Sequence, residues 1–160
     1  MSLFVASAID LTCAVAPTDV FQLSANGASC QILMVDFWAT GTKSAVIFPR
    51  IMRRTSPNVG VSVPLSVVKF NSTSVPAGAT AQAYTINPLS LGDGEVLVLR
   101  QCYVRDIGDS TLYEYDEAWW ATPGSLHPPV INPNEFLCIN LASVVLLGLN
   151  VTVRVKWLEF

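Results

Sequence analysis

Charge is what this sequence has least of. Nine Lys and Arg and twelve Asp and Glu make up 13% of the 160 residues, about half the roughly 25% of an average soluble protein. A domain of this size relies on charge to keep its surface in water, so the deficit points to surface covered by other subunits. The net charge is −3, and neither end carries a Lys/Arg-rich arm. Arg50, Arg53 and Arg54 come nearest to a basic patch, and they read as the solvated face of a strand. Neutralising nucleic-acid phosphates takes a denser basic surface than this, so no nucleic-acid partner is expected.

Residues for catalysis and metal binding are also scarce. His127 is the single histidine, and it stands in Leu126-His127-Pro128-Pro129 without an acidic neighbour. A Ser-His-Asp or Cys-His arrangement needs a base oriented by a third group. The four cysteines, at 13, 30, 102 and 138, show no zinc-type or redox spacing. Each lies in an apolar stretch, where a free thiol behaves as a small hydrophobe. Glu114, Asp116 and Glu117 form an acidic cluster that exposed strand positions explain as well as paired carboxylates do. No Gly-rich phosphate loop follows a strand. The expectation is a non-enzyme with no catalytic residue, no cofactor and no metal.

Sustained helical periodicity is missing, and ten prolines and nine glycines recur at intervals too short for ordinary helices. Met1 to Ala16 is apolar and ends in Ala14-Val15-Ala16, like a signal-peptidase site, but it lacks a basic start and Asp10 interrupts it. Phe136 to Val153 is uncharged and long enough to cross a bilayer. Asn140, Ser143, Gly148, Asn150 and Thr152 punctuate it, however, and two strands joined by a turn fit better. No membrane partner is expected.

What remains is a succession of short Val, Ile, Leu, Phe and Thr runs separated by turn residues. Strands are expected near Leu3–Ile9, Val20–Ser24, Ser29–Thr40, Lys43–Thr55, Ser62–Phe70, Thr80–Ile86, Glu95–Arg105, Thr111–Trp120, Glu135–Leu141 and Leu149–Glu159. In the last of these Val151, Val153, Val155 and Trp157 alternate with Thr152, Arg154 and Lys156, the signature of one buried and one wet face. Glu95–Arg105 begins apolar on both faces, as a covered central strand does. Gly41-Thr42 reads as a tight hairpin, and Pro49 marks an edge or bulge. With so many strands and no room for helical crossovers, the fold class is all-β, an antiparallel jelly-roll-like β-sandwich. Residues 1–17 read as an N-terminal arm or edge strand and residues 18–160 as the single sandwich domain.

Candidate interface residues follow from the same pattern. Phe4, Val5 and Ile9 lie on the apolar arm, which suits addition to a neighbour's sheet. Trp119 and Trp120, close to Tyr113 and Tyr115, form the one aromatic concentration. Alternation leaves one of the two tryptophans for a partner.

Several features in order are similar to one family. Val20-Phe21-Gln22-Leu23 opens, and Ile32 to Arg54 forms a long hairpin ending in Arg50-Ile51-Met52-Arg53-Arg54-Thr55. A Pro/Ser/Ala-rich middle includes Val63-Pro64-Leu65. The turn Pro128-Pro129-Val130-Ile131-Asn132-Pro133-Asn134-Glu135 then feeds Phe136-Leu137-Cys138-Ile139, and Val151 to Glu159 closes the chain. This resembles small virion proteins of tailed bacteriophages: capsid decoration (cement) proteins and head-fibre-like subunits of trimeric jelly-roll fold. The resemblance implies a homotrimer on the outer surface of a virion capsid, assembled in the host cytoplasm, whose partners are itself and the major capsid protein shell. It carries over no catalytic residue. Two alternatives remain open, a carbohydrate-binding fibre module using the Trp/Tyr cluster and a self-assembling viral coat protein.

Overall fold

The computed structural model describes residues 1–12, 18–41, 45–70, 77–99, 101–106, 117–119, 128–142 and 149–160. Among them every regular element is a strand: β1 (Ser2–Thr12), β2 (Thr18–Ser24), β3 (Cys30–Gly41), β4 (Ala45–Ile47), β5 (Pro49–Arg54), β6 (Val63–Leu65) and β7 (Val67–Lys69). These are followed by β8 (Thr80–Ala83), β9 (Gly94–Leu99), β10 (Cys102–Asp106), β11 (Glu117–Trp119), β12 (Val130–Ile131), β13 (Phe136–Leu141) and β14 (Asn150–Glu159). The uncharged run from Phe136 to Val153 is thus shared between strands of two different sheets.

The pairing has a nested order. β1 pairs with β14, β2 with β13, β3 with β11 and β5 with β9, all antiparallel. The first half of the chain is therefore matched in reverse by the second half, as one long ribbon. Lateral pairing of β14 with β3 and of β13 with β5 rolls that ribbon into two sheets, β1-β14-β3-β11 and β2-β13-β5-β9. Two antiparallel sheets built this way form the jelly roll, a β-sandwich. The only parallel contact among the described strands is short, where Arg105 and Asp106 of β10 lie beside Thr40 and Gly41 of β3.

Three strands bend from one sheet into the other. Lys43–Thr55 divides at Phe48 into β4 and β5, and Glu95–Arg105 divides into β9 and β10. Their mutual register is the same on both sides of the division, with Arg50 opposite Leu99 on one side and Ile47 opposite Cys102 on the other. Pro49, which has no N–H to donate, is the first residue after this corner, one of the few places in a sheet that tolerates proline. Ser62–Phe70 divides likewise at Ser66 into β6, beside β8, and β7, beside β1.

Inside, the apolar faces close on each other. Val151, Val153, Val155 and Trp157 of β14 are all buried, as their alternation predicts. Trp157 stacks on Phe4 with ring centroids 5.9 Å apart and planes at 26°.

Four expectations need correction. The N-terminal segment is not a separate arm, because β1 lies inside the sheet with β14 on one side and β7 on the other. Phe4 is accordingly core, 2% exposed, and not an interface residue. The Gly41-Thr42 hairpin does not form between β3 and β4, since β10 lies between them. Glu95–Arg105 is not a strand covered on two sides: β9 is the outermost strand of its sheet, with Val96 and Leu99 exposed.

Replacing Phe4 by Ala is expected to cost about 3–5 kcal/mol, the range for emptying a buried aromatic site. The midpoint of urea unfolding reads this directly. An arm residue outside the core would shift it by less than about 0.5 kcal/mol, and that result would contradict the placement of β1.

Candidate functional site

Two layers of structure stand on the outer face of the β2-β13-β5 sheet: a buried polar cluster and, above it, an apolar crest.

The cluster centres on Asp19, in β2, which is fully buried. Its carboxylate receives a two-pronged contact from Arg54 of β5, Nε to Oδ2 at 2.7 Å and Nη2 to Oδ1 at 2.8 Å. The Nδ2 groups of Asn58 and Asn140 each donate to it at 2.7 Å. Four donors thus converge on two oxygens, the condition under which a buried charge is tolerated. Asp19 is opposite Asn140, whereas Arg54 is opposite Phe136. The arginine therefore runs diagonally across the sheet, over the row that holds Cys138 and Gln22. Gln22 Oε1 accepts from the Tyr84 hydroxyl at 3.0 Å, and Gln82 Nε2 donates to the same hydroxyl at 2.8 Å.

Burial alone would lower the pKa of Arg54, but the hydrogen bonds and charge of Asp19 outweigh it and hold the guanidinium above its ordinary value. Burial raises Tyr84, and it pushes Cys138 well above the usual thiol range, with the Asp19 charge adding to the effect. Cys30, in the other sheet, is pushed up to about 12 by burial and secondarily by Glu159. These two thiols are free and buried, as expected, and neither has the lowered pKa of a nucleophile; Cys13 and the side chain of Cys102 lie outside what is described.

Above the cluster lie two loops, residues 55–62 and 84–93. The cluster holds both: Arg54 Nη1 donates to Gly92 O, and the Gly92 N–H donates to Asn58 Oδ1 at 2.9 Å. The loops also bond each other, Val59 N to Ser90 O at 3.0 Å and Leu89 N to Val59 O at 2.7 Å. Their backbones press so closely that a Cβ on Gly92 would stand 1.9 Å from Ser56 O, and one on Gly60 would stand 2.8 Å from Pro88 Cα. Only glycine fits at either position.

The outer side of this rigid pair is apolar. Leu89 is 88% exposed, Val61 68% and Ile86 63%, with Val59 about half exposed. From Thr55 to Gly92 the sequence holds one charged residue, Lys69. Farther along the same edge, Val68 and Phe70 are also exposed.

Of the residues singled out from sequence, Ile9 is 70% exposed because a bulge between Ala8 and Leu11 turns it out of the ladder. Asp10 next to it has a φ of 52° and donates its N–H to Thr152 Oγ1 at 3.1 Å. Val5 is half-buried opposite Val68 and Lys156. Trp119 belongs to β11, opposite Val35 of β3. Trp120, Tyr113, Tyr115, Glu114, Asp116 and His127 lie outside the described residues. Arg54, expected on a solvated face, is instead 4% exposed because its charge is matched inside by Asp19. Arg53 remains at the surface, paired with Glu95. Nothing in the sequence singled out the crest or the cluster. The one available signal was the long stretch almost without charge.

Among the described residues, no group of three or more His, Cys, Asp or Glu is placed to hold a metal ion. Comparison with protein-family models, with curated proteins and with solved structures gives no match.

Replacing Asp19 by Ala is expected to cost about 3–5 kcal/mol, since it strands a buried guanidinium. Adding Arg54→Met should recover much of that loss, and a double-mutant cycle on urea midpoints reads the coupling. Additive losses would show that the two side chains are not a unit.

The thiols set an alkaline limit. Unfolded cysteine ionises near 9, the ordinary value from which Cys30 is raised to about 12. Between these values the unfolded chain has lost the proton that the folded chain keeps, so stability falls as pH rises and is fully present below 9. The expected slope is up to about 1.4 kcal/mol per pH unit for each such thiol. Urea midpoints from pH 7.5 to 11 should fall less steeply for C30A, and an unchanged slope would count against the buried-thiol placement.

Proposed function

We propose that this chain is a structural subunit of a virion, a decoration subunit that binds across neighbouring capsomers and reinforces the shell. The observation that carries the proposal is the exposed, nearly charge-free apolar crest held rigidly on a jelly roll. Apolar patches of this kind on a domain surface mark protein–protein contact. Loops fixed by buried hydrogen bonds lose little entropy when they dock. Fold by itself assigns no function, so the jelly roll supports the proposal only as an analogy with shell proteins built the same way.

A cement acts by mass action, binding the closed shell better than the open one and so shifting the balance toward intact particles. Several modest contacts per oligomer suffice, because linked contacts act at high effective concentration.

A second reading, the self-assembling coat protein itself, is favoured by the completeness of the nested β1–β14, β2–β13, β3–β11, β5–β9 order. The two separate cleanly. A cement expressed alone stays a small soluble oligomer, whereas a coat protein closes into hollow particles visible in negative stain.

Particles lacking the subunit are expected to assemble but to release their contents at lower temperature than complete ones, and adding the purified subunit back should restore the difference. Equal thermal release with and without it would remove the cement role.

A further inference from the structure

We infer that the crest of Val59, Val61, Ile86 and Leu89 is a self-contact, joining two copies of this chain crest to crest about a two-fold axis. The inference rests on the structural-subunit reading and specifies it: the crest reinforces the shell by tying copies seated on neighbouring capsomers to each other, not by docking on the capsomers themselves.

The four side chains stand on two loops whose backbones bond each other. Val63 is opposite Ala83 in the β6–β8 ladder, and Val59 bridges to Ser90. Val61 and Ile86 fall between these two fixed points, and Leu89 follows directly from the bridge. From their fractional exposures they present on the order of 500 Å² of apolar surface. A standard specific interface buries about 800 Å² per partner, of which about 60% is apolar. The crest by itself meets that apolar requirement.

The charge pattern chooses the occupant. A partner of different sequence gains encounter rate and specificity from opposite charges across the contact. The crest offers none: Thr55–Leu65 and Tyr84–Gly92 contain no Asp, Glu, Lys or Arg. Around a two-fold axis each group near the centre meets its own copy, so any charge there would face a like charge. A charge-free surface is what such self-matching requires. The polar atoms beneath are already engaged, with Asn58, Gln22 and Tyr84 bonded within the cluster. Docking therefore leaves none of these groups newly unsatisfied.

The test is the mass of the purified full chain at 10–100 µM, wild type against V61D/L89D, by light scattering with circular dichroism as the check on folding. The expected result is an even-numbered wild-type oligomer and a variant of half its mass with unchanged strand signal. A variant of unchanged mass, or an odd-numbered wild type such as a trimer, overturns the crest contact and leaves the oligomeric reading standing. A 17.3 kDa monomer in the wild type overturns both. Should the double variant fail to fold, L89C supplies the answer: alkylation at position 89, read by peptide mass, should slow as protein concentration rises. A rate independent of concentration overturns the contact.

Discussion

The pair of Asp19 and Arg54 is where the local chain, the sheet and the surface loops meet. A carboxylate with no exposure is tolerable only if its charge is matched and its lone pairs are filled, and here both conditions are met by residues from distant parts of the chain. β2 supplies Asp19, β5 supplies Arg54, β13 supplies Asn140, and the loop after β5 supplies Asn58. Losing the arrangement would leave buried charges unmatched, so these elements are held in one register. Because Asn58 and Arg54 also take up the N–H and C=O of Gly92, the same cluster fixes the loop before β9. The order of the surface is thus inherited from a charge pair beneath it.

The nested pairing explains why so few residues direct so much of the fold. Once β5 and β9 are joined, β3 with β11, β2 with β13 and β1 with β14 follow as successive steps along one ribbon. The bends at Phe48, at Ser66 and between Leu99 and Cys102 let single strands serve both sheets, so they link the layers covalently where a separate strand would leave an edge. Phe4 and Trp157 lock the outermost pair of the ribbon from inside, which is why the first strand is integral to the domain.

Much of this architecture was legible in the sequence. Period-two alternation in Val151–Glu159 marked a strand and its buried face, and scattered Gly and Pro excluded helices. What failed was long-range partner choice. Gly41-Thr42 has the local chemistry of a hairpin, yet β10 arrives from sixty residues away to separate β3 from β4. Alternation in Glu95–Arg105 showed a strand but could not show that it would bend into two sheets, leaving Val96 and Leu99 outside. The apolar start of the chain looked like a free arm because nothing local names β14 as its partner. Arg54 looked solvated because its counterion lies 35 positions earlier. Each miss has the same cause: local pattern reports periodicity and exposure preference, while pairing is settled by distant segments.

The near absence of charge from Thr55 to Gly92 and the density of polar contacts beneath it belong to one design problem. An exposed apolar loop in water gains by collapsing onto the nearest apolar surface, so aliphatic side chains stay outward only if the backbone cannot follow them in. Gly60 and Gly92 allow the two loops to approach within van der Waals limits, and the bonds from Arg54 and Asn58 then remove the freedom to collapse. The side chains cannot turn inward either, because the space beneath is filled by a satisfied polar cluster that would lose its hydrogen bonds to them. Leu89 is held almost wholly in solvent by structure that costs buried charge to build. A surface kept apolar and rigid at that cost makes physical sense when another protein surface covers it, since docking then removes the unfavourable hydration without first ordering the loops.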